Sequence, residues 1–344
     1  MNKLAVIILS VFFVFPQAYA QGTLITPDLN DDELIARSNE IMVEIDKVKS
    51  KKEKVKIYEK FADMFLSQGH YDFAASIYLF LLDENPKKRK KAEYYIRLGD
   101  IAAIRHSYSE GLDYYKSAQS LYKKNVEIKA KIGDILLESN LYGLAEQSFN
   151  EILSLDKHSN YAKRKLGDIY FNQSLYSKAS EYYKEINQSY HDKDIVVNLA
   201  ICYRSLNKVN EAVKLVNNFL NIQKDSDLYL LSGLLYTDLG IYRKAEERFL
   251  LSIAHDDKNF AAYVYLAAIY LESGEIDKAE NMLNKAGNIN SYSSSVDMMH
   301  ARISYKKQRL YEARRYAHNA ILKAKTSFVK EQAQRMLDFF NEIQ

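Results

Sequence analysis

The sequence predicts an all-α protein built from about eight helix hairpins with a capping helix at each end. Three observations carry this. First, only three prolines occur in 344 residues, far below the usual share of about 5%, and proline is the residue that breaks helices. Second, small residues recur at Ala62, Gly99, Gly133, Gly167, Ala200, Gly233, Ala267 and Ala301, at spacings of 37, 34, 34, 33, 33, 34 and 34. Third, another small series follows each member by twelve residues: Ala74, Gly111, Ala145, Ala179, Ala212, Ala245, Ala279 and Ala313. Two small-residue series with one shared period mark an internal repeat.

Composition narrows the class further. Hydrophobic residues make up 47% and charged residues 27%, a globular balance. The 48 basic and 45 acidic side chains nearly cancel, to +3, which leaves no strong nucleic-acid footprint. A single cysteine excludes a disulfide framework within one chain.

The elements follow in order. Residues 1–20 read as an export signal: Lys3 supplies the positive start, Leu4 to Phe15 the apolar run, and Ala18-Tyr19-Ala20 the small-residue cleavage site. The apolar run is short against the ~20 residues of a spanning helix, so the expectation is cleavage after Ala20 and no membrane span thereafter. Retention as an uncleaved anchor is the alternative. Residues 21–54 are expected to hold an extended lead with Pro27 and then a capping helix. Asp31-Asp32-Glu33 suit its start, and Leu34, Ile41, Ile45 and Val48 line one face.

Residues 55–327 hold the repeats, starting near Val55, Ala92, Val126, Asn160, Lys193, Ser226, Phe260 and Ser294. Three residues before the second small series stand Tyr71, Tyr108, Tyr142, Tyr176, Val209, Tyr242, Ile276 and Leu310. Four residues after it stand Tyr78, Tyr115, Phe149, Tyr183, Val216, Phe249 and Leu283. Spacings of three and four are helical. Polar breaks such as Ser67-Gln68-Gly69-His70 and Glu272-Ser273-Gly274-Glu275 read as tight turns between the two helices. The small residues are expected to let paired helices approach, with aromatics filling the space between neighbouring hairpins. Residues 328–344 form the closing helix, with Ser327 as its cap and Val329, Ala333, Met336, Leu337, Phe340 and Ile343 as its apolar face.

This pattern resembles the tetratricopeptide repeat (TPR) family. The clearest units are Leu98-Gly99 with Tyr108 and Tyr115, Leu166-Gly167 with Tyr170, Tyr176 and Ala179, and Gly233 with Tyr236, Gly240, Tyr242 and Ala245. Pro86 closes the first unit where the family often has proline. The eighth unit departs from the pattern, with Ser304 where an aromatic is expected, as end repeats often do. The resemblance implies a right-handed superhelical solenoid whose first helices line a concave groove. It also implies a non-catalytic scaffold that holds a protein or peptide in that groove.

Two kinds of groove position follow from the resemblance. In the first four units Asp63, Asp100, Asp134 and Asp168 follow the first small residue, each preceded at three residues by Lys60, Arg97, Lys131 or Lys165. Such residues share a helix face and can pair. One reading is a solvated ladder of ion pairs between stacked repeats, each worth only ~0.2–1 kcal/mol. The other is a charged groove that selects a charged peptide. The aspartate row would repel a terminal carboxylate, so the carboxylate-clamping activity of some family members is not expected. In the later units the row turns apolar, through Val197, Ile201, Leu230, Leu234, Val264, Ala268, Leu271 and Met298. An apolar stripe of this kind suits a partner helix, although burial within the fold or a segment of the chain itself would also account for it.

Basic clusters remain at Lys47–Lys56 and at Lys87-Lys88-Arg89-Lys90-Lys91, the latter placed in the lengthened turn. A solvated surface is the plain reading. Docking on an anionic envelope surface, peptidoglycan or another anionic polymer is the alternative function. None of the seven histidines has metal-ligand spacing to a second His or Cys. His70 is expected to be solvated in its turn, and Cys202 to be a small core thiol. No phosphate-cradling loop or nucleophile elbow occurs. The expectation is therefore a periplasmic or secreted scaffold that needs no cofactor, metal or nucleic acid and could self-associate.

Overall fold

The computed structural model describes residues 43, 45, 47–187 and 192–343, and every regular element among them is α-helical. The export segment and nearly all of the expected N-terminal capping helix lie outside the described residues. Helices α1 (Lys51–Ser67), α2 (Tyr71–Asp83), α3 (Lys88–Ile104), α4 (Tyr108–Leu121), α5 (Val126–Glu138) and α6 (Tyr142–Leu155) form three successive hairpins. Helix α7 (Asn160–Asn172) carries the division between two compact units, residues up to 169 and residues from 170 onward. The second unit continues with α8 (Tyr176–Asn187), α9 (Lys193–Ser205), α10 (Val209–Ile222), α11 (Ser226–Asp238) and α12 (Tyr242–His255). It ends with α13 (Phe260–Glu272), α14 (Ile276–Ile289), α15 (Ser294–Lys306), α16 (Leu310–Lys323) and α17 (Ser327–Glu342).

Local chemistry fixes where these helices begin and end. Side chains at several first-helix starts accept bonds from the otherwise unpaired amides of the first turn. Asn125 accepts from Ile128, Asp192 from Asp194 and Ile195, Asp225 from Asp227 and Leu228, and Asn259 from Ala262. These first helices start at Val126, Lys193, Ser226 and Phe260, where the repeat predicted them. The two earliest start four residues sooner, at Lys51 and Lys88. The run Lys88–Lys91 is therefore helical rather than part of a lengthened turn. Lysine and arginine are good helix formers, and nothing after Pro86 interrupts them.

Each first helix ends in a left-handed residue: Gly69, His106, Asn140, Ser174, Asn207, Gly240, Gly274 or Gln308. The next amide then bonds back to a carbonyl in the helix's last turn, as His70 to Phe65 at 2.8 Å and Glu275 to Tyr270 at 2.8 Å. That closure leaves room for only one or two more residues before the second helix begins. It makes every second helix antiparallel to its partner.

The small-residue series sets how closely the helices of one hairpin approach. A Cβ added to Gly99 would lie 2.5 Å from the Tyr115 ring, and one on Gly133 or Gly233 would lie 2.6 or 2.4 Å from Phe149 or Phe249. The aromatics sixteen residues downstream thus seat on the small residue of their own hairpin, not only between hairpins as the spacing suggested. Where the downstream residue is smaller, as at Val216 and Leu283, the facing position is alanine, Ala200 and Ala267. In the first unit Ile45, Phe61, Phe65, Phe73, Ile77, Tyr94 and Leu98 belong to one buried cluster. In the second unit Tyr236, Phe249, Leu266, Tyr270, Leu283 and Ile303 belong to another.

The closing helix α17 packs Phe340, Met336 and Leu337 against Ala301, Ala313 and Ala317. Its cap is Thr326, whose hydroxyl accepts from the Val329 amide at 3.3 Å, so Ser327 is the first helical residue rather than the cap. At its other end Arg314 donates to the carbonyls of Phe340 and Ile343 at 2.8 and 3.0 Å.

Candidate functional site

The sixteen residues singled out in the sequence fall into two sets, one in each unit. The charged set lies on α1, α3, α5 and α7, all within residues up to 169. Three of its four cations pair across repeats. Arg97 reaches back to Asp63 at 3.8 Å, Lys131 to Asp100 at 2.6 Å, and Lys165 to Asp134 at 2.9 Å. Arg97, Lys131 and Lys165 each bind the aspartate of the preceding repeat, so these pairs form the ladder between stacked repeats, built across helices rather than from residues three apart on one helix.

The reason lies in a second set of donors. The Tyr78 hydroxyl donates to Asp63 at 2.6 Å and the Tyr115 hydroxyl to Asp100 at 2.7 Å, each from the second helix of the same hairpin. Burial first, and then the accepting carboxylates, push both hydroxyls far above the usual tyrosine range, so they remain donors. In the third repeat the equivalent residue is Phe149, which has no hydroxyl. There Tyr161, on the next first helix, donates to Asp134 instead. At Asp63, Asp100 and Asp134 a tyrosine anchors the carboxylate and the next repeat's cation closes the pair. Lys60, at the start of the row, lies 5.9 Å from the Phe61 ring centre. Asp168 is half-buried on α7. The row therefore works mainly as a staple between adjacent repeats. An open cavity of about 500 Å³ lies between α3 and α5, lined by Arg89, Glu93, Ile96, Tyr122, Glu127 and Ile128.

The apolar set lies on the first helices of the second unit. Val197 and Ile201 are on α9, Leu230 and Leu234 on α11, Val264 and Ala268 on α13, and Met298 on α15. All seven are half-buried. Leu230, Leu234, Val264 and Ala268 pack with one side against the core cluster of that unit. Helix α9 touches α11, and α13 touches α15, so the row passes between neighbouring first helices. Leu271 does not belong to it. It is fully buried, because its helix turns it into the core with Leu266 and Tyr270.

Other side chains are accounted for structurally. Cys202 is fully buried, and burial pushes its thiol up to about 11, so it is unreactive. His70 is half-buried between Phe65 and Phe73, at 6.2 and 6.4 Å between ring centres, rather than solvated. Burial holds its pKa below the usual histidine value. Sequence reasoning missed a polar pin in the second unit. Asn259 donates to Ser226 at 3.0 Å and to Ser252 at 3.1 Å, and Ser252 donates to the Ser226 carbonyl at 2.9 Å. The pin joins the start of α11, the end of α12 and the start of α13. No cluster of metal-ligating side chains occurs among the described residues. No helix among them is long and apolar enough to cross a membrane.

Comparison with known proteins matches this geometry. A tetratricopeptide-repeat signature covers residues 131–194. A TPR repeat-containing protein of Methanocaldococcus jannaschii is 33% identical over 70 residues, which is 20% of this chain and 12% of that protein. The C-terminal part of a TPR repeat-containing protein from Cytophaga hutchinsonii has a TM-score of 0.56 at 14% identity, covering 70% of this chain and 99% of its own. PilW, a type IV pilus biogenesis factor, has a TM-score of 0.51 at 18% identity, covering 61% and 98%. At these identities the structural likeness speaks for the fold. The recurring hairpin has the tetratricopeptide-repeat fold, and residues 131–194 match that family's model.

Proposed function

We propose that this protein is a non-catalytic interaction scaffold of the bacterial cell envelope. In this reading it lays an amphipathic segment of a protein partner along the apolar row of the second unit. The observation that carries it is the row itself: seven half-buried apolar side chains on consecutive first helices. Their outward sides suit the apolar face of a helix or an extended peptide. The charged row of the first unit contributes differently. Asp63, Asp100 and Asp134 are already met by tyrosine and by the next repeat's cation, so the row stiffens the hairpins of the first unit. The envelope assignment rests on the export signal read in residues 1–20.

Photo-crosslinking in cells tests this reading. Crosslinkers at Ile201, Leu234 and Ala268 should yield one set of protein adducts. Crosslinkers at Glu247 and Asn284, exposed on second helices, should not. Replacing Leu230 and Leu234 together by Asp should remove the adducts at Ala268 while far-UV helicity persists. Adducts of equal yield from both helix faces would sink the proposal. Export is checked separately, by recovery from the periplasmic fraction of a chain beginning at Gln21.

A further inference from the structure

The ends of the helices in the first unit differ sharply in charge. Short turns make each hairpin antiparallel, so first helices begin, and second helices end, at one common edge. Contacts tie that edge together. Lys51 meets Glu84 at 3.0 Å, the Lys88 ammonium lies 4.9 Å from the Tyr122 ring centre, and Lys90 meets Glu59 at 2.8 Å. Along it, segments 47–54, 83–91, 121–127 and 155–159 carry thirteen basic and five acidic side chains. The opposite edge, in segments 67–72, 104–110 and 138–143, carries one basic and three acidic. A chain of net charge +3 therefore concentrates a much larger positive charge on one edge.

Most of that charge is unpaired. Of the thirteen, only Lys51 and Lys90 have a carboxylate partner among the described residues. Lys52, Lys87, Lys88, Arg89, Lys123, Lys124 and Lys157 are all exposed. We propose that this edge of the first unit docks on an anionic lipid bilayer.

Two features favour a bilayer over a soluble polyanion. The edge is lysine-rich, with Arg89 its one arginine. Lysine is a compact, hydrated point charge, whereas arginine forks onto individual phosphates. A lysine field senses surface potential rather than a particular anion. Apolar side chains also lie between the lysines and face outward: Tyr122 is 37% exposed, Val126 38% and Leu155 43%. Such groups seat at the boundary of headgroup and acyl chain, where tyrosine is favoured. The surface is separate from the apolar row and stands without it.

Vesicle co-sedimentation of the full chain tests the proposal, with vesicles of phosphatidylcholine alone and of phosphatidylcholine mixed with phosphatidylglycerol. The apolar run Leu4–Phe15 adds to binding on both and cancels in their ratio. The ratio should favour the anionic vesicles and fall with added salt. The variant Lys87→Glu, Lys88→Glu, Lys123→Glu, Lys124→Glu should lower it at least about 100-fold, each lysine near an anionic surface being worth roughly fivefold. The variant Lys214→Glu, Lys258→Glu, Lys325→Glu, Lys330→Glu makes the same change in net charge at exposed sites of the second unit. It should leave most of the preference intact. An equal loss in both variants overturns the proposal, as does the absence of any anionic preference. Retention on immobilised polyphosphate without vesicle binding overturns it in favour of a polymer partner. Crosslinking at Leu234 in the first variant should be unchanged, which separates this surface from the proposed groove.

Discussion

At the scale of single residues, the fold depends on matched sizes inside each hairpin. Gly233 faces Phe249 so closely that an added Cβ would lie 2.4 Å from the ring. One hairpin later the same two positions are Ala267 and Leu283, both fully buried. Between these two hairpins size is traded across the pair, glycine with phenylalanine in one and alanine with leucine in the next. Gly233→Ala should therefore destabilise the second unit by about 1–3 kcal/mol, the usual cost of overpacking. Adding Phe249→Leu should recover part of that loss, although Phe249→Leu alone leaves a gap and is itself destabilising. Urea midpoints of the two single variants and the double variant give the coupling directly. Additive effects would show that the two side chains do not contact each other as described. The same logic covers the charged row, where Phe149 replaces a tyrosine and Tyr161 supplies the missing hydroxyl from the next repeat.

At the scale of elements, the turns between paired helices are the most uniform feature of the molecule. Among the described residues all eight put one residue in the left-handed region, yet only Gly69, Gly240 and Gly274 are glycine. Asn140 and Asn207 tolerate this conformation, since asparagine is the next best occupant. Gln308, at φ 58°, has no such excuse, and a left-handed L-residue costs about 1–2 kcal/mol. Gln308→Gly should stabilise the last hairpin by roughly 1 kcal/mol, less the extra freedom glycine gains in the unfolded chain. Thermal denaturation compares it with Gly274→Ala, which should destabilise by a similar amount; a fall in stability with Gln308→Gly would refute the assignment. The helices and their starts were legible in the sequence because caps and small residues recur at a fixed period. The earlier start of α3 was not, since a run of lysines carries no apolar periodicity and reads equally as a solvated turn. The pin of Ser226, Ser252 and Asn259 was illegible too, because serine at a helix end looks the same whether it meets water or another serine.

At the scale of the whole molecule, the two compact units rely on different forces at equivalent positions. Sequence showed that the first-helix row changes from charged to apolar. It did not show which groups pair, because pairing depends on how far each helix is offset from the next, and that offset leaves no trace in spacing along one helix. It also placed Leu271 in the row, since a position one turn from Ala268 can face either the surface or the core. The difference between the units has a measurable consequence. The pairs Arg97–Asp63, Lys131–Asp100 and Lys165–Asp134 have side chains 25–55% exposed, within reach of screening by salt. Exposed pairs are worth ~0.2–1 kcal/mol each, so the three together amount to about 1 kcal/mol once screened. In repeat proteins stability is close to a sum over repeats and their nearest-neighbour contacts. Loss of pairing therefore stays where the pairs are. Raising sodium chloride from low concentration to about 1 M, where the screening length is near 3 Å, should speed amide exchange in α3 and α5 roughly fivefold. Exchange in α11 and α13, held by Leu228, Leu235, Leu266 and Ile269, should be unchanged or slower, since burial of apolar surface is not screened. Hydrogen exchange read by mass spectrometry resolves these helices separately. A uniform response across both units would mean that the charged row contributes nothing to the stacking of its repeats, and that the tyrosine hydroxyls hold the aspartates without help from the neighbouring cations.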